Sequence, residues 1–152
     1  MPNWCQNVIY VSHKDKNKMV ALKNAILKGE LCDHIKPMPE ELKDTVSPSD
    51  SPNWYDWACK HWGTKWDICS SHDTDEIYCD DDGETYVFKF DTAWSPPIPI
   101  YDEMIEQGFD VIAKYVEYGM GYHGEYSMYG DYYHNEIQEG DEIDEHLLSE
   151  YA

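Results

Sequence analysis

The chain contains no arginine, and its eleven basic residues are all lysines. Residues 1–71 hold nine of them, balanced by nine acids. Residues 72–152 hold only Lys89 and Lys114 against twenty-two acids, and no lysine follows Lys114. The whole formal charge of −20 therefore belongs to the second half. A field of that sign repels nucleic acid and anionic membrane and attracts basic protein surfaces. Long apolar runs are missing too, since none approaches the roughly 18 residues of a membrane span. Met1 to Tyr10 lacks the basic-then-apolar order of a secretory leader. Five cysteines, at 5, 32, 59, 69 and 79, are odd in number and form no C-x-x-C pair. They read as reduced thiols of a cytosolic protein rather than a disulfide framework.

Signatures of catalysis and of metal binding are equally scarce. There is no G-x-S-x-G, no phosphate-binding glycine loop and no H-E-x-x-H, so no enzyme and no cofactor are expected. Asp80-Asp81-Asp82-Gly83-Glu84 has the composition of a calcium loop, but the flanking positions that need acids are Tyr78 and Lys89. Cys59, His61, Cys69, His72 and Cys79 fall within 21 residues without the C-x₂₋₄-C spacing of a zinc site, so no metal is expected there.

What is present argues for one folded domain. A 152-residue chain that is 41% hydrophobic and holds six Trp buries a real core. Cys5–Val11 alternates as a strand, with Cys5, Asn7, Ile9 and Val11 on one face and Gln6, Val8 and Tyr10 on the other. Lys14–Lys28 carries Met19, Leu22 and Ile26 at helical spacing and stops at Gly29. A Pro-rich turn follows at 35–39, then a short helical turn at Glu40–Lys43 and a loop at 45–52. Asn53 caps a helix from Trp54 to His61 or Trp62 whose shared face is Trp54, Trp57, Ala58 and Trp62. Trp66–Cys69 reads as a short strand. Glu76–Cys79 and Glu84–Asp91 flank an Asp-Gly hairpin turn, with Tyr86, Phe88 and Phe90 facing one way. Pro99–Gln107 is a helix with Ile100, Met104 and Ile105 as its stripe, ended by Gly108. Strands are expected over 110–118, 122–129 and 131–138, with Gly119, Gly121 and Gly124 marking bulges or tight bends. A highly acidic tail follows, where Ile143 and Leu147 share one face of a short helix. This order implies an α+β, ferredoxin-like fold over 1–138, with helices on one face of a mostly antiparallel sheet. Residues 139–152 form an acidic C-terminal extension.

Four segments carry a family signal in order: Met1-Pro2-Asn3-Trp4-Cys5-Gln6-Asn7, Pro37-Met38-Pro39-Glu40-Glu41-Leu42, Trp62-Gly63-Thr64-Lys65-Trp66-Asp67 and Thr92-Ala93-Trp94-Ser95-Pro96-Pro97-Ile98-Pro99. Through them the chain resembles the YubB-like ferredoxin-like domain family of phage and plasmid proteins, over residues 1 to about 130. The resemblance implies the ferredoxin-like fold and a mobile-element origin, and it carries no catalytic set. The acidic tail and the acidic hairpin lie outside that pattern.

The candidate site residues follow from charge and aromatic content. Rigidly held carboxylates imitate the charge of a duplex, about one per 1.7 Å of axis. Asp80, Asp81, Asp82, Glu84, Glu125, Asp131, Glu136, Glu139, Asp141, Glu142, Asp144 and Glu145 are the candidates for such a surface. Tyr122, Tyr126, Tyr129, Tyr132 and Tyr133 add amphipathic contact area beside them. The expected partner is a basic, nucleic-acid-binding host protein, such as a CRISPR effector or a restriction nuclease. No direct contact with nucleic acid or membrane is expected, and a homo-oligomer through the Tyr-rich strands is a further option. The plain alternative is a solvated acidic face. A second candidate site is Trp62, Lys65 and Trp66, where indoles would stack on a base and the ammonium would meet a phosphate. Its plain alternative is that Trp62, Trp66 and Trp94 fill the core.

Overall fold

The computed structural model describes residues 3–69, 78–130, 132–141, 143 and 147. The elements are β1 (Trp4–Ser12), α1 (Lys16–Leu27), α2 (Leu31–Ile35), α3 (Glu40–Lys43), α4 (Trp54–His61), β2 (Tyr78–Asp81), β3 (Tyr86–Ala93), α5 (Ile98–Glu106), β4 (Asp110–Glu117), β5 (Tyr122–Ser127) and β6 (Tyr132–Glu136). One six-stranded sheet has the order β2-β3-β1-β4-β5-β6. Every neighbouring pair is antiparallel.

The path β1-α1-β2-β3-α5-β4, with β1 held between β3 and β4, is the βαββαβ core of a ferredoxin-like α+β fold. Helices α2, α3 and α4 are inserted between α1 and β2. The hairpin strands β5 and β6 extend the sheet beyond β4.

Local chemistry sets the helix ends. The Asp15 side chain accepts the Asn17 N–H at 2.9 Å and opens α1. At its end the Gly29 N–H donates to Ile26 O at 2.9 Å and the Glu30 N–H to Ala25 O at 2.9 Å. This double closure places Gly29 at φ +75°, where a Cβ would be strained. Asn53 caps α4 by accepting the Asp56 N–H at 2.9 Å. Helix α2 was not expected: its five residues lie between Gly29 and Pro37, too few to show a period. The strand expected at Trp66–Cys69 reduces to one bridge, Cys69 to Asp91. The part of the first hairpin strand before residue 78 lies outside the described residues.

Both faces of the sheet are used. On one, Ile9, Val11, Phe88, Phe90, Val111 and Ala113 meet Met19, Leu22, Ile26, Ile100, Tyr101 and Met104 of the helices. On the other, Val8 and Val116 pack with Leu147, joined by Tyr10, Val87, Tyr118, Ile137 and Ile143. Leu147 is 2% exposed, and the Tyr118 hydroxyl donates to its carbonyl at 2.7 Å. The acidic C-terminal segment thus places apolar side chains on the face opposite the helices. Whether it is helical falls outside the described residues.

Gly124 departs from its expected role. Pairing of β5 with β4 and with β6 runs through it without a bulge. A Cβ there would lie 2.3 Å from the Tyr115 hydroxyl and 2.3 Å from the Tyr133 carbonyl oxygen. Gly124 is the slot in which the Tyr115 ring crosses β5.

Candidate binding surface

The sheet order divides the candidate acids into two groups. Asp80 and Asp81 lie on β2, with Asp82 and Glu84 in the turn that follows, all exposed at one edge of the sheet. Glu125 lies on β5 and Glu136 on the outermost strand β6, with Glu139 and Asp141 just beyond it. Five strand spacings of about 4.8 Å separate β2 from β6, or ~24 Å across the sheet. The described members of the single surface read from the sequence therefore fall in two groups, one toward each edge of the sheet. Asp131, Glu142, Asp144 and Glu145 lie outside the described residues.

Within each group some carboxylates hold the fold. Asp82 accepts the N–H groups of Glu84 (2.9 Å) and Thr85 (2.8 Å). The Thr85 bond, then the Glu84 bond, holds its carboxyl below the usual aspartate range. Asp81 accepts the Gly83 N–H at 3.2 Å and meets the Lys23 ammonium of α1 at 3.7 Å. Asp141 accepts the Gln138 N–H at 2.7 Å and pairs with His123 at 3.0 Å. Glu125 stands in register with Lys114. Among the described residues Asp80, Glu84, Glu136 and Glu139 form no ion pair.

The five tyrosines play different parts. Tyr122 lies on the helix side of β5, its ring 4.5 Å from His134, and its hydroxyl donates to the Trp94 carbonyl. Tyr126 packs against the helical core, and its hydroxyl donates to Asp102 of α5. Burial drives the phenol of Tyr122 well above the ordinary value, so it stays neutral. These two are structural. Tyr129, Tyr132 and Tyr133 are exposed, Tyr129 at 71%. The residues of β6 are all exposed, so the outer edge of the sheet is aromatic as well as acidic.

A cleft of about 370 Å³ opens on the face away from the helices, lined by Lys114, His123, Glu125, Tyr133, Ile143 and Leu147 among others. No local pattern in the sequence points to it. Its residues come from β4, β5, β6 and the C-terminal segment, and only the register brings them together.

The second candidate site comes apart. Trp62 is 6% exposed in the helical core, and its indole N–H donates to the Lys36 carbonyl at 2.9 Å. Trp66 is 38% exposed, with Lys65 4.4 Å above its ring and Trp4 6.3 Å away. Trp94 is 50% exposed at φ +73°. Core filling therefore holds for Trp62 and fails for Trp66 and Trp94, which sit at the rim. Of the thiols weighed for zinc, Cys59 is exposed, Cys69 and Cys79 are half-buried, and His72 lies outside the described residues. Burial pushes the Cys69 thiol up to about 11.

Three of the four sequence segments converge at one end of the sheet. The Trp94 N–H donates to Asn3 O at 2.9 Å, and Asn7 Nδ2 donates to Thr92 Oγ1 at 2.9 Å. Thr64 Oγ1 donates to Ala93 O at 3.2 Å, and Ser95 Oγ to Gly63 O at 2.6 Å. Tyr101 closes the network by donating to Asn7 Oδ1 at 3.2 Å. These residues knit β1, the end of β3 and the entry to α5.

The topology and this buried network define a ferredoxin-like domain whose sheet is extended at one edge. Residues 65–150 match the family described as the ferredoxin-like domain in Api92-like protein, and the chain belongs to that family. The match continues past Gln138 and takes in most of the acidic tail. The match supports the ferredoxin-like family expected from the motifs, but neither the YubB-like naming nor the mobile-element origin. No curated protein and no solved structure matches the chain. Among the described residues no helix is long and apolar enough to cross a membrane.

Proposed function

We propose that this chain is a binding protein that docks on the basic, nucleic-acid-binding surface of another protein and occludes it. The observation that carries the reading is the set Asp80, Glu84, Glu136 and Glu139. These acids are exposed on or just beyond the two edge strands of one sheet and have no cationic partner among the described residues. Carboxylates free of internal bonds remain available to an external cation. Two acidic groups separated by the width of a sheet also suit a groove built to hold two phosphate strands. In the narrower form of the proposal the partner is a host defence nuclease or effector and the chain is carried by a phage or plasmid, as the motif resemblance implies.

The test is a four-site variant, Asp80→Lys, Glu84→Lys, Glu136→Lys and Glu139→Lys. It leaves the structural acids Asp81, Asp82 and Asp141 in place. A tagged pull-down from bacterial lysate, washed through a salt gradient, is expected to retain a basic nucleic-acid-binding protein on the native chain and to release it as salt rises. The variant is expected to retain none while its circular dichroism is unchanged. Equal retention by the two proteins would reject the proposal. The nucleotide reading is less favoured, because Trp62 is buried and Lys65 is already stacked on Trp66.

A further inference from the structure

The two sheet edges differ in what they offer a partner. At the β2 edge the Lys23 ammonium already meets Asp81. Strand β6 has no lysine, no proline and no bulge across its five pairs with β5. All five of its residues are exposed.

The phase of its backbone follows from one hydrogen bond. The Ile137 N–H donates to Gly121 O at 2.8 Å, so Ile137 turns toward β5. Antiparallel alternation then turns Asn135 and Tyr133 toward β5 as well. Tyr132, His134 and Glu136 turn their N–H and C=O groups outward. The same three residues share the sheet face of Tyr122, Gly124 and Tyr126. An added strand would therefore meet a row of backbone groups that have no strand partner among the described residues, beside one tyrosine and one carboxylate, with Glu139 just beyond.

We propose that β6 is a docking edge, at which an extended, lysine- or arginine-bearing segment of the partner adds to the sheet as a seventh strand. The inference rests on the reading of the chain as an acidic protein that binds basic partners, and it names how the partner is held. Backbone hydrogen bonds supply the attachment, as in other strand additions. Charge selects the occupant: a cationic side chain opposite Glu136 is attracted, and an acidic one is repelled. Charge also weighs against a second copy of this chain, since each copy brings −20.

The experiment uses the full chain and two synthetic peptides, one of alternating Lys and Val and the other its fully N-methylated form. The methylated peptide keeps the charge and loses every backbone N–H. The expected result is salt-sensitive binding of the first peptide with slowed amide exchange at Tyr132, His134 and Glu136. Affinity for the methylated peptide is expected to be at least about ten-fold weaker, which is about 1.4 kcal/mol. The variant His134→Pro removes one outward N–H and keeps the bonds of Tyr133 and Asn135 to β5, so it is expected to lower affinity for the first peptide similarly. If that variant misfolds, the peptide comparison still decides. Equal, salt-sensitive binding of both peptides with no slowed exchange in β6 would overturn edge docking and leave the charge-based reading standing. Binding of neither peptide at low salt would overturn both. A dimer in light scattering that His134→Pro dissolves would assign the edge to a second copy and overturn the proposal.

Discussion

Asp67 ties together two parts of the chain that are far apart in sequence. Its carboxylate accepts the N–H groups of Cys32 at 2.8 Å, Asp33 at 2.9 Å and Ile68 at 2.8 Å. Cys32 and Asp33 open α2, whose own N-cap residue Glu30 makes no side-chain bond. Burial pushes the Asp67 carboxyl up, against the three N–H bonds that pull it down. Replacing Asp67 with Ala strands those donors, and urea titration should show a loss of about 2–3 kcal/mol. An unchanged midpoint would show that water replaces the carboxylate without cost. In the sequence Asp67 closes a Trp-rich block. Two of its three partners lie 34 and 35 positions upstream, and no local pattern points to them. Gly124 is a similar case: its missing Cβ makes room for a ring from another strand.

At the scale of elements, what was legible was what short-range chemistry settles. Asn53, Gly29 and Gly108 mark helix ends within a residue or two of where they fall. The Asp-Gly turn between β2 and β3 forms as the residues dictate, with Asp82 bonded across it and Gly83 at φ +91°. The C-terminal segment was legible only in part. Its acids suggested an extension, whereas Leu147 is among the most buried residues of the chain. Leu147→Ala would open a void against Val8 and Val116. The expected cost is about 2–4 kcal/mol, measured by chemical denaturation. A loss below ~0.5 kcal/mol would mean that the segment contributes nothing to the fold.

For the whole molecule the governing quantity is charge. Twenty net negative charges on 152 residues repel one another in the folded state more than in the expanded one. Salt shortens that repulsion, because the screening length falls from about 30 Å at ~0.01 M to about 8 Å at ~0.15 M. The melting temperature should therefore rise over this range by about 3 °C or more, the equivalent of roughly 1 kcal/mol for a domain of this size. The four-lysine variant should show a smaller rise. A melting temperature that falls with salt would mean that attractive pairs such as Lys23–Asp81 dominate instead.

The sequence by itself determined most of the element types, the ferredoxin-like α+β class and the concentration of charge in the second half, because these depend on side-chain periodicity, caps and composition within a few residues. Only the tertiary structure decided the rest. It placed the described candidate acids on two opposite edges, buried Trp62 while exposing Trp94, and set β6 at the edge of the sheet among the described residues. Those outcomes depend on strand order and register. Both are set by long-range pairing in which residues such as Trp4 and Ala93, or Lys114 and Glu125, become neighbours only once the sheet has closed.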